Sequence, residues 1–227
     1  MIELHNCDCM EYMRGLPDGA FELAIVDPPY GLGEHSGKVS RNRFSSVEYL
    51  KKDWDSVPPN KEYFTELLRV SKNQIIWGAN HFLQNIGLGS SCWIVWDKQN
   101  GNSHFADCEL AYTNFETSVR VFRYRWAGML QGDMQNKEVR IHATQKPVKL
   151  YEWLLTNYAK KGDRIFDTHL GSGSIAIAAE RLGFDFVGCE LDKDYFDAAS
   201  ARLEQSRAQG GLFEPVHVSK PEQESLL

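Results

Sequence analysis

The sequence has no long apolar run: the longest, Phe21 to Val26 and Ile175 to Ala179, fall far short of the ~20 residues a membrane-spanning helix requires. Nor does it open on a basic and then apolar segment, since Met1-Ile2-Glu3-Leu4-His5 lacks the layout of a secretory leader. A soluble, cytoplasmic protein is therefore expected, with no membrane partner. Cysteine is scarce, and the five present (Cys7, Cys9, Cys92, Cys108 and Cys189) are odd in number and scattered, which excludes a disulfide framework. Cys7 and Cys9 form a C-x-C pair, but no second Cys/His pair completes a tetrahedral set, so no metal is expected. Internal repeats and low-complexity tracts are missing as well. With a formal net charge of −6, so is the overall basic excess of a protein that simply coats nucleic acid.

What is present is a chain of 227 residues, 42% hydrophobic and 12% aromatic, long enough to bury a sizeable core in one domain. Its charge is unevenly spread. From Gly31 to Lys52 five basic residues, including Lys38, Arg41 and Arg43, face only Glu34 and Glu48. From Arg120 to Lys149 seven basic residues, including Arg123, Arg125 and Arg140, face only Asp133 and Glu138. The rest of the chain is strongly acidic, a distribution that fits a basic cleft on an acidic body and equally two solvated faces.

Short β-branched and aromatic runs alternate with helical patterns, which predicts βαβ units and a mostly parallel sheet. The predicted strands are Ile2 to His5, Phe21 to Val26, Gln74 to Trp77, Cys92 to Trp96, Asp163 to Phe166 and Phe186 to Cys189. Helices are predicted over Cys9 to Leu16, Lys61 to Val70, Val148 to Ala159, Ser174 to Leu182 and Lys193 to Ala208. Glu109 to Tyr112 and Val119 to Tyr124 read as an antiparallel pair turning near Asn114 and closing one edge of the sheet. The stretches His35 to Asn60 and Arg123 to His142 resist assignment, and loops of that length in a compact domain are usually functional or mobile. Residues 1–208 are expected to form the domain and residues 209–227 a flexible tail.

Two segments carry chemistry. Asp167-Thr168-His169-Leu170-Gly171-Ser172-Gly173 follows a predicted strand and opens a helix, where glycines admit close backbone approach and the helix start offers free amide donors. Glu190 follows 19 residues after Gly171, at the end of the next strand, where a carboxylate can accept the hydroxyls of a ribose. The third glycine of the dinucleotide fingerprint is missing, with Ala176 beyond, so the pair reads as a nucleoside half-site or as an ordinary tight turn.

The second segment, Asp27-Pro28-Pro29-Tyr30, follows the strand Phe21 to Val26 directly. Its prolines make a rigid, extended loop. The Asp27 carboxylate and the Pro28 carbonyl are two acceptors that can grip both hydrogens of an amine, and Tyr30 offers a ring for stacking a base. Gripped in this way, a conjugated amine is drawn toward tetrahedral geometry and its lone pair becomes available for in-line attack. A stiff turn with Tyr30 in the core is the bland alternative.

These blocks resemble the amino-methylating DNA methyltransferases, in particular the permuted group in which the catalytic tetrapeptide precedes the glycine motif, as Asp27 here precedes Gly171. The resemblance rests on Asn6-Cys7-Asp8-Cys9, on Asp27 to Gly31, on His142-Ala143-Thr144-Gln145-Lys146-Pro147, and on Phe166 through Gly173 with Glu190 and Tyr195. It implies a Rossmann-like class I methyltransferase fold: α/β, with a mostly parallel twisted sheet, one antiparallel edge strand and helices on both faces. It also implies a catalytic half over residues 1–141 and a cofactor half over residues 142–208.

The cofactor implied is S-adenosylmethionine. Asp8 and Cys9 would border its adenine, and Gln145, Lys146 and Pro147 its methionine end. Asp167, Gly171 and Gly173 would hold its backbone and Glu190 its ribose. Thr168 and His169 depart from the family's usual proline and phenylalanine, and Ala143 from its proline. An aspartate at the head of the tetrapeptide is typical of relatives that methylate adenine N6; cytosine N4 is the alternative. Methylation at cytosine carbon would need a thiolate, typically after a proline, and no cysteine here follows one.

The partner implied is double-stranded DNA with the target base flipped out. Lys38, Arg41 and Arg43 are candidates to close over that base, and Arg123, Arg125 and Arg140 to contact phosphates or guanines. Trp54 and Trp126 are equally candidates for a wedge and for the core. RNA or a protein glutamine as substrate, and a binding module with a vestigial pocket, are the competing functions. Monomer and homodimer both remain open.

Overall fold

The computed structural model describes residues 1–32, 57–87, 89–101, 106–127, 130–142 and 144–210. Period-two alternation decides how its sheet is buried. Leu23 and Ile25 point to one face of the strand β2 (Phe21–Val26) and Ala24 and Val26 to the other, while Phe21 at its start breaks the alternation and packs with the second set. A strand apolar on both faces must be covered on both, and helices do so.

On one face lie α4 (Val148–Tyr158), α5 (Ser174–Leu182) and α6 (Lys193–Gly210), which share a core with Ile75, Trp77, Ile94, Trp96 and Ile165. On the other lie α1 (Cys9–Arg14) and α2 (Lys61–Val70), with Phe64, Leu67 and Val70 packed near Phe166, Val187 and Cys189. Asn60 caps α2 by accepting from the Tyr63 amide at 3.1 Å. Arg69 of α2 donates to the Leu16 and Met13 carbonyls, each at 2.8 Å, and so fixes the connection out of α1.

Among the described residues the sheet has eight strands. Besides β2 they are β1 (Ile2–Asn6), β3 (Ser71–Trp77), β4 (Ile94–Asp97), β5 (Cys108–Thr113), β6 (Arg120–Arg123), β9 (Arg164–Asp167) and β10 (Asp185–Glu190), in the spatial order β1-β10-β9-β2-β3-β5-β4-β6. The late strands β9 and β10 are thus inserted between β1 and β2, and the two halves of the sequence build one sheet. The ladder β1-β10-β9-β2-β3 is parallel throughout. Chains leave β9 and β2 in opposite directions along the sheet, which opens a crevice at their carboxyl ends, the usual ligand position in such sheets.

Two expectations need correction. Strands β5 and β6 do not pair as a hairpin: β5 runs antiparallel to β3 and β4, and β6 runs parallel to β4. The antiparallel strand therefore lies inside the sheet, with β4 and β6 beyond it. Ile94 and Trp96 of β4 are buried on one face, and β5 and β6 pair with its two edges. Nor is the stretch from Arg123 to His142 structureless. It carries a two-stranded ribbon, β7 (Trp126–Ala127) with β8 (Leu130–Gln131), and Gln131 exchanges two 2.8 Å side-chain hydrogen bonds with the backbone of Glu138. A short 3-10 turn (Ala79–His81) and a one-turn helix α3 (Leu83–Ile86) after β3 were not foreseen. Among the described residues no helix is long and apolar enough to cross a membrane.

Candidate active site at the carboxyl ends of four strands

Four neighbouring strands deliver the chemistry-bearing residues to one edge of the sheet. Asp8 follows β1, Glu190 ends β10, Asp167 ends β9 and Asp27 follows β2. A cavity of about 790 Å³ opens there, walled by Asp8, Cys9, Asp27, Pro29, Tyr63, Gln145, Lys146, His169, Gly171 and Glu190 among others. Pro28, Tyr30, Pro147, Asp167 and Gly173 adjoin lining residues in the chain without lining the cavity themselves.

Asp27 is held from both sides. The Tyr30 hydroxyl donates to Oδ1 at 2.7 Å, and the Lys146 ammonium stands 2.5 Å from Oδ2 and 3.2 Å from the Tyr30 oxygen. Lys146, its side chain only 3% exposed, also reaches Oε2 of Glu109 at 3.0 Å, and Glu109 is paired in turn with Lys98. The result is a row of alternating charge, Asp27, Lys146, Glu109 and Lys98, in which each buried charge has an opposite neighbour. Burial pushes the Asp27 carboxyl up and the Glu109 charge adds to the rise, against the pull of Lys146. Burial also opposes ionisation of Glu109, but its two lysines outweigh it and hold the carboxyl at about 2. Lys146 stays protonated because Asp27 and Glu109 overcome its desolvation.

Tyr30 does not lie open to the cavity. Its ring stacks on His81 at 5.2 Å, with its hydroxyl turned to Asp27. Gly78, in the left-handed region at φ 67°, makes room for it: a Cβ there would lie 2.0 Å from the Tyr30 ring. Gly78→Ala is therefore expected to unseat Tyr30, to destabilise the fold by about 1–3 kcal/mol through overpacking and to release one restraint on Asp27. Urea unfolding of the variant checks the first effect.

The glycine turn is built as the sequence suggests. Gly171 and Gly173 take φ of 51° and 70°, and α5 begins just after Gly173 with no side chain capping its amides. Glu190 accepts from the Gly171 amide at 2.8 Å and from Asp192 at 2.9 Å, which orients its carboxylate at the cavity edge. Asp167 is buried, and its desolvated carboxyl is pushed up to about 8. Such a site would be relieved by a cationic ligand. Ser174 ties this turn to the Lys146 loop, donating to the Lys146 carbonyl at 2.7 Å. Arg202 bridges Glu138 at 2.6 Å and the Ser172 carbonyl at 2.8 Å.

Two neutral histidines complete the wall. Burial drives both His142, whose ring lies tilted 4.4 Å from that of Tyr195, and His169 down to about 4. Their unfolded value is near 6.5, so the unfolded chain binds more protons and stability falls as pH drops from about 6.5 through 4, by up to about 3 kcal/mol per ring. Replacing both by glutamine should flatten that decline in urea titrations at pH 7 and pH 5.

Other expected site residues have different surroundings. The Gln145 amide is engaged by the backbone of Ile141 and Val139. Asp8 caps α1 through Oδ1, 2.7 Å from the Met10 amide. Trp126 belongs to the core and donates to the Gln145 carbonyl at 2.8 Å, so it is no wedge. Arg123, the last residue of β6, and Arg125 just beyond it are exposed, with Arg123 3.6 Å from Asp97, while Arg140 stacks 4.5 Å from the Trp126 ring. Lys38, Arg41, Arg43 and Trp54 lie outside the described residues, as do residues 211–227. Among the described residues no cluster suited to a metal is found, and the cysteines are free. Sequence reading missed Glu109 on β5 and Lys98 just after β4, whose acidic and basic side chains gave no local signal.

Residues 95–201 match the family model described as DNA methylase. Among sequence relatives, the type II methyltransferase M2.DpnII of Streptococcus pneumoniae is 26% identical over 90% of each chain. Among solved structures, the M1.HpyAVI-SAM complex superposes with a TM-score of 0.55 at 22% identity, covering 89% of this chain and all of that one. The PvuII DNA methyltransferase, cytosine-N4-specific, superposes with a TM-score of 0.58 at 11% identity, covering 91% of this chain and 90% of that one.

Proposed function

We propose, from the premise that this chain is an amino-methylating DNA methyltransferase, that it methylates the N6 amine of adenine in double-stranded DNA with S-adenosylmethionine as donor. The observation that carries the reading is Asp27: a carboxylate at the crevice between β9 and β2, held by Tyr30 and Lys146, exposed to a cavity with a nucleoside cradle at its other end.

The cavity fits the cofactor. Gly171 and Gly173 keep side chains out of the turn, their own amides being bonded to Glu190 and to the Leu170 carbonyl, while the uncapped start of α5 offers backbone donors, Glu190 a ribose acceptor and Asp8 with Cys9 a wall for adenine. The high proton affinity of Asp167 suits the cationic methionine portion. When bound, S-adenosylmethionine supplies an electrophilic methyl group on a sulfonium centre.

The chain's own residues prepare the nucleophile. The Asp27 carboxylate and the Pro28 carbonyl accept the two amine hydrogens and localise its lone pair, while Pro28 and Pro29 keep both acceptors fixed. Negative charge on Asp27 favours the positive charge that grows on the amine, and its raised proton affinity suits it to take the proton the amine gives up. Tyr30 and Lys146 orient the carboxylate. Lys146 is thus assigned to Asp27, and Gln145 and Pro147 to supporting the loop behind it.

Adenine is favoured over the cytosine amine by the aspartate at position 27. The target base must leave the duplex to reach Asp27, at a cost of a few kcal/mol. The basic stretches at 31–60 and 123–142, with Arg123, Arg125 and Arg140, supply contacts that offset it. Competition decides the polymer: with methyl-labelled cofactor and equal masses of duplex DNA, RNA and protein, label should enter DNA. Label confined to RNA or to glutamine would overturn the reading.

A further inference from the structure

The loop between β9 and α5 holds a hydrogen-bonded chain that the mechanism does not use. Oγ1 of the buried Thr168 lies 2.6 Å from the Tyr63 hydroxyl and 2.8 Å from Nδ1 of His169. The Tyr63 ring meets His169 edge-on at 5.6 Å, and all three residues line the cavity.

The positions of the hydrogens follow from satisfying each donor. His169 is neutral, so one ring nitrogen carries a hydrogen. Were it Nδ1, His169 would donate to Thr168 and Thr168 to Tyr63, leaving the Tyr63 hydrogen without an acceptor at a side chain in a residue only 4% exposed. Folded proteins avoid such orphans. The reverse order satisfies all three: Tyr63 donates to Thr168, Thr168 donates to Nδ1, and the imidazole hydrogen sits on Nε2.

We propose that the Tyr63–Thr168–His169 chain locks His169 as the Nε2–H tautomer, and that this hydrogen is a neutral donor to an acceptor atom on the nucleoside of S-adenosylmethionine. The inference rests on reading the cavity as the cofactor site. His169 stands two residues after Asp167 and two before Gly171, within the segment that would cradle the cofactor. Neutrality matters there, because an imidazolium would repel a sulfonium, whereas an apolar side chain would leave the acceptor unpaired. The acceptor is a ring nitrogen of the base or an oxygen of the ribose.

Equilibrium binding of S-adenosylhomocysteine to the full chain tests this. His169→Phe should weaken binding by about threefold to tenfold, the worth of one neutral hydrogen bond, and His169→Gln should recover most of it through its amide N–H. Nitrogen NMR of the free protein should show the Nε2–H pattern for His169, and Thr168→Val should abolish that preference. Deaza analogues of the ligand separate the two sources. If a ring nitrogen is the acceptor, the advantage of wild type over His169→Phe vanishes for the analogue lacking it; if the advantage survives all of them, the ribose is the acceptor. Equal affinity of wild type and His169→Phe, or an Nδ1–H pattern, overturns the proposal while leaving the cofactor site intact. Failure of wild type itself to bind S-adenosylhomocysteine overturns the cofactor reading, and this inference with it.

Discussion

Lys146→Met is expected to destabilise the protein by about 3 kcal/mol at pH 7, the lower end of what removing one member of a buried ion pair costs. The lower end applies because Glu109 keeps Lys98, while Asp27 keeps only the Tyr30 hydroxyl. Without the ammonium, burial and Glu109 push the Asp27 carboxyl further up. A folded-state value raised above the unfolded one leaves stability intact at low pH and erodes it as pH rises. The deficit of the variant should therefore be largest near neutrality and shrink in acid, where Asp27 is protonated. The same shift moves the acidic limb of the pH–rate profile upward, so residual activity recovers as pH increases. Urea unfolding at two pH values with a matching rate profile checks both; an unchanged acidic limb contradicts the assignment of Lys146 to Asp27.

Asp27→Asn acts on chemistry more than on the fold. The amide preserves shape but removes the charge that meets the developing ammonium, and losses of roughly 100-fold to 1,000-fold follow from removing one preorganised electrostatic group. Binding of S-adenosylhomocysteine should change little, since the glycine turn and Glu190 lie on other strands. A drop in affinity without a drop in single-turnover rate would reverse the roles assigned to the two ends of the cavity.

What the sequence made legible was local. The Asp27 loop, the glycine turn and Glu190 each sit at the end of a strand whose apolar run marks it. Their convergence needed only the insertion of β9 and β10 beside β2, which the resemblance implied. Pairings across distant elements left no such mark. Glu109 and Lys98 look like solvated charges, and they acquire meaning only because β5 runs between β3 and β4 and brings Glu109 to both Lys146 and Lys98. The same insertion defeated the expected β5–β6 hairpin: neighbouring strands in sequence usually pair, but β4 lies between β5 and β6 and pairs with both. The local engagements of Gln145 and Trp126 were hidden for a related reason. Both carry groups suited to a ligand, yet the backbone of the 139–145 segment takes up those groups first.

The most direct measurement is the identity of the methylated atom. Duplex DNA incubated with the protein and labelled S-adenosylmethionine, digested to nucleosides and separated by mass spectrometry, should place the label on the exocyclic N6 of adenine. Label on the N4 amine of cytosine would keep the chemistry of Asp27 and correct the base. Label on a ring carbon would contradict the account, because two acceptors holding an amine have no part in attack by carbon.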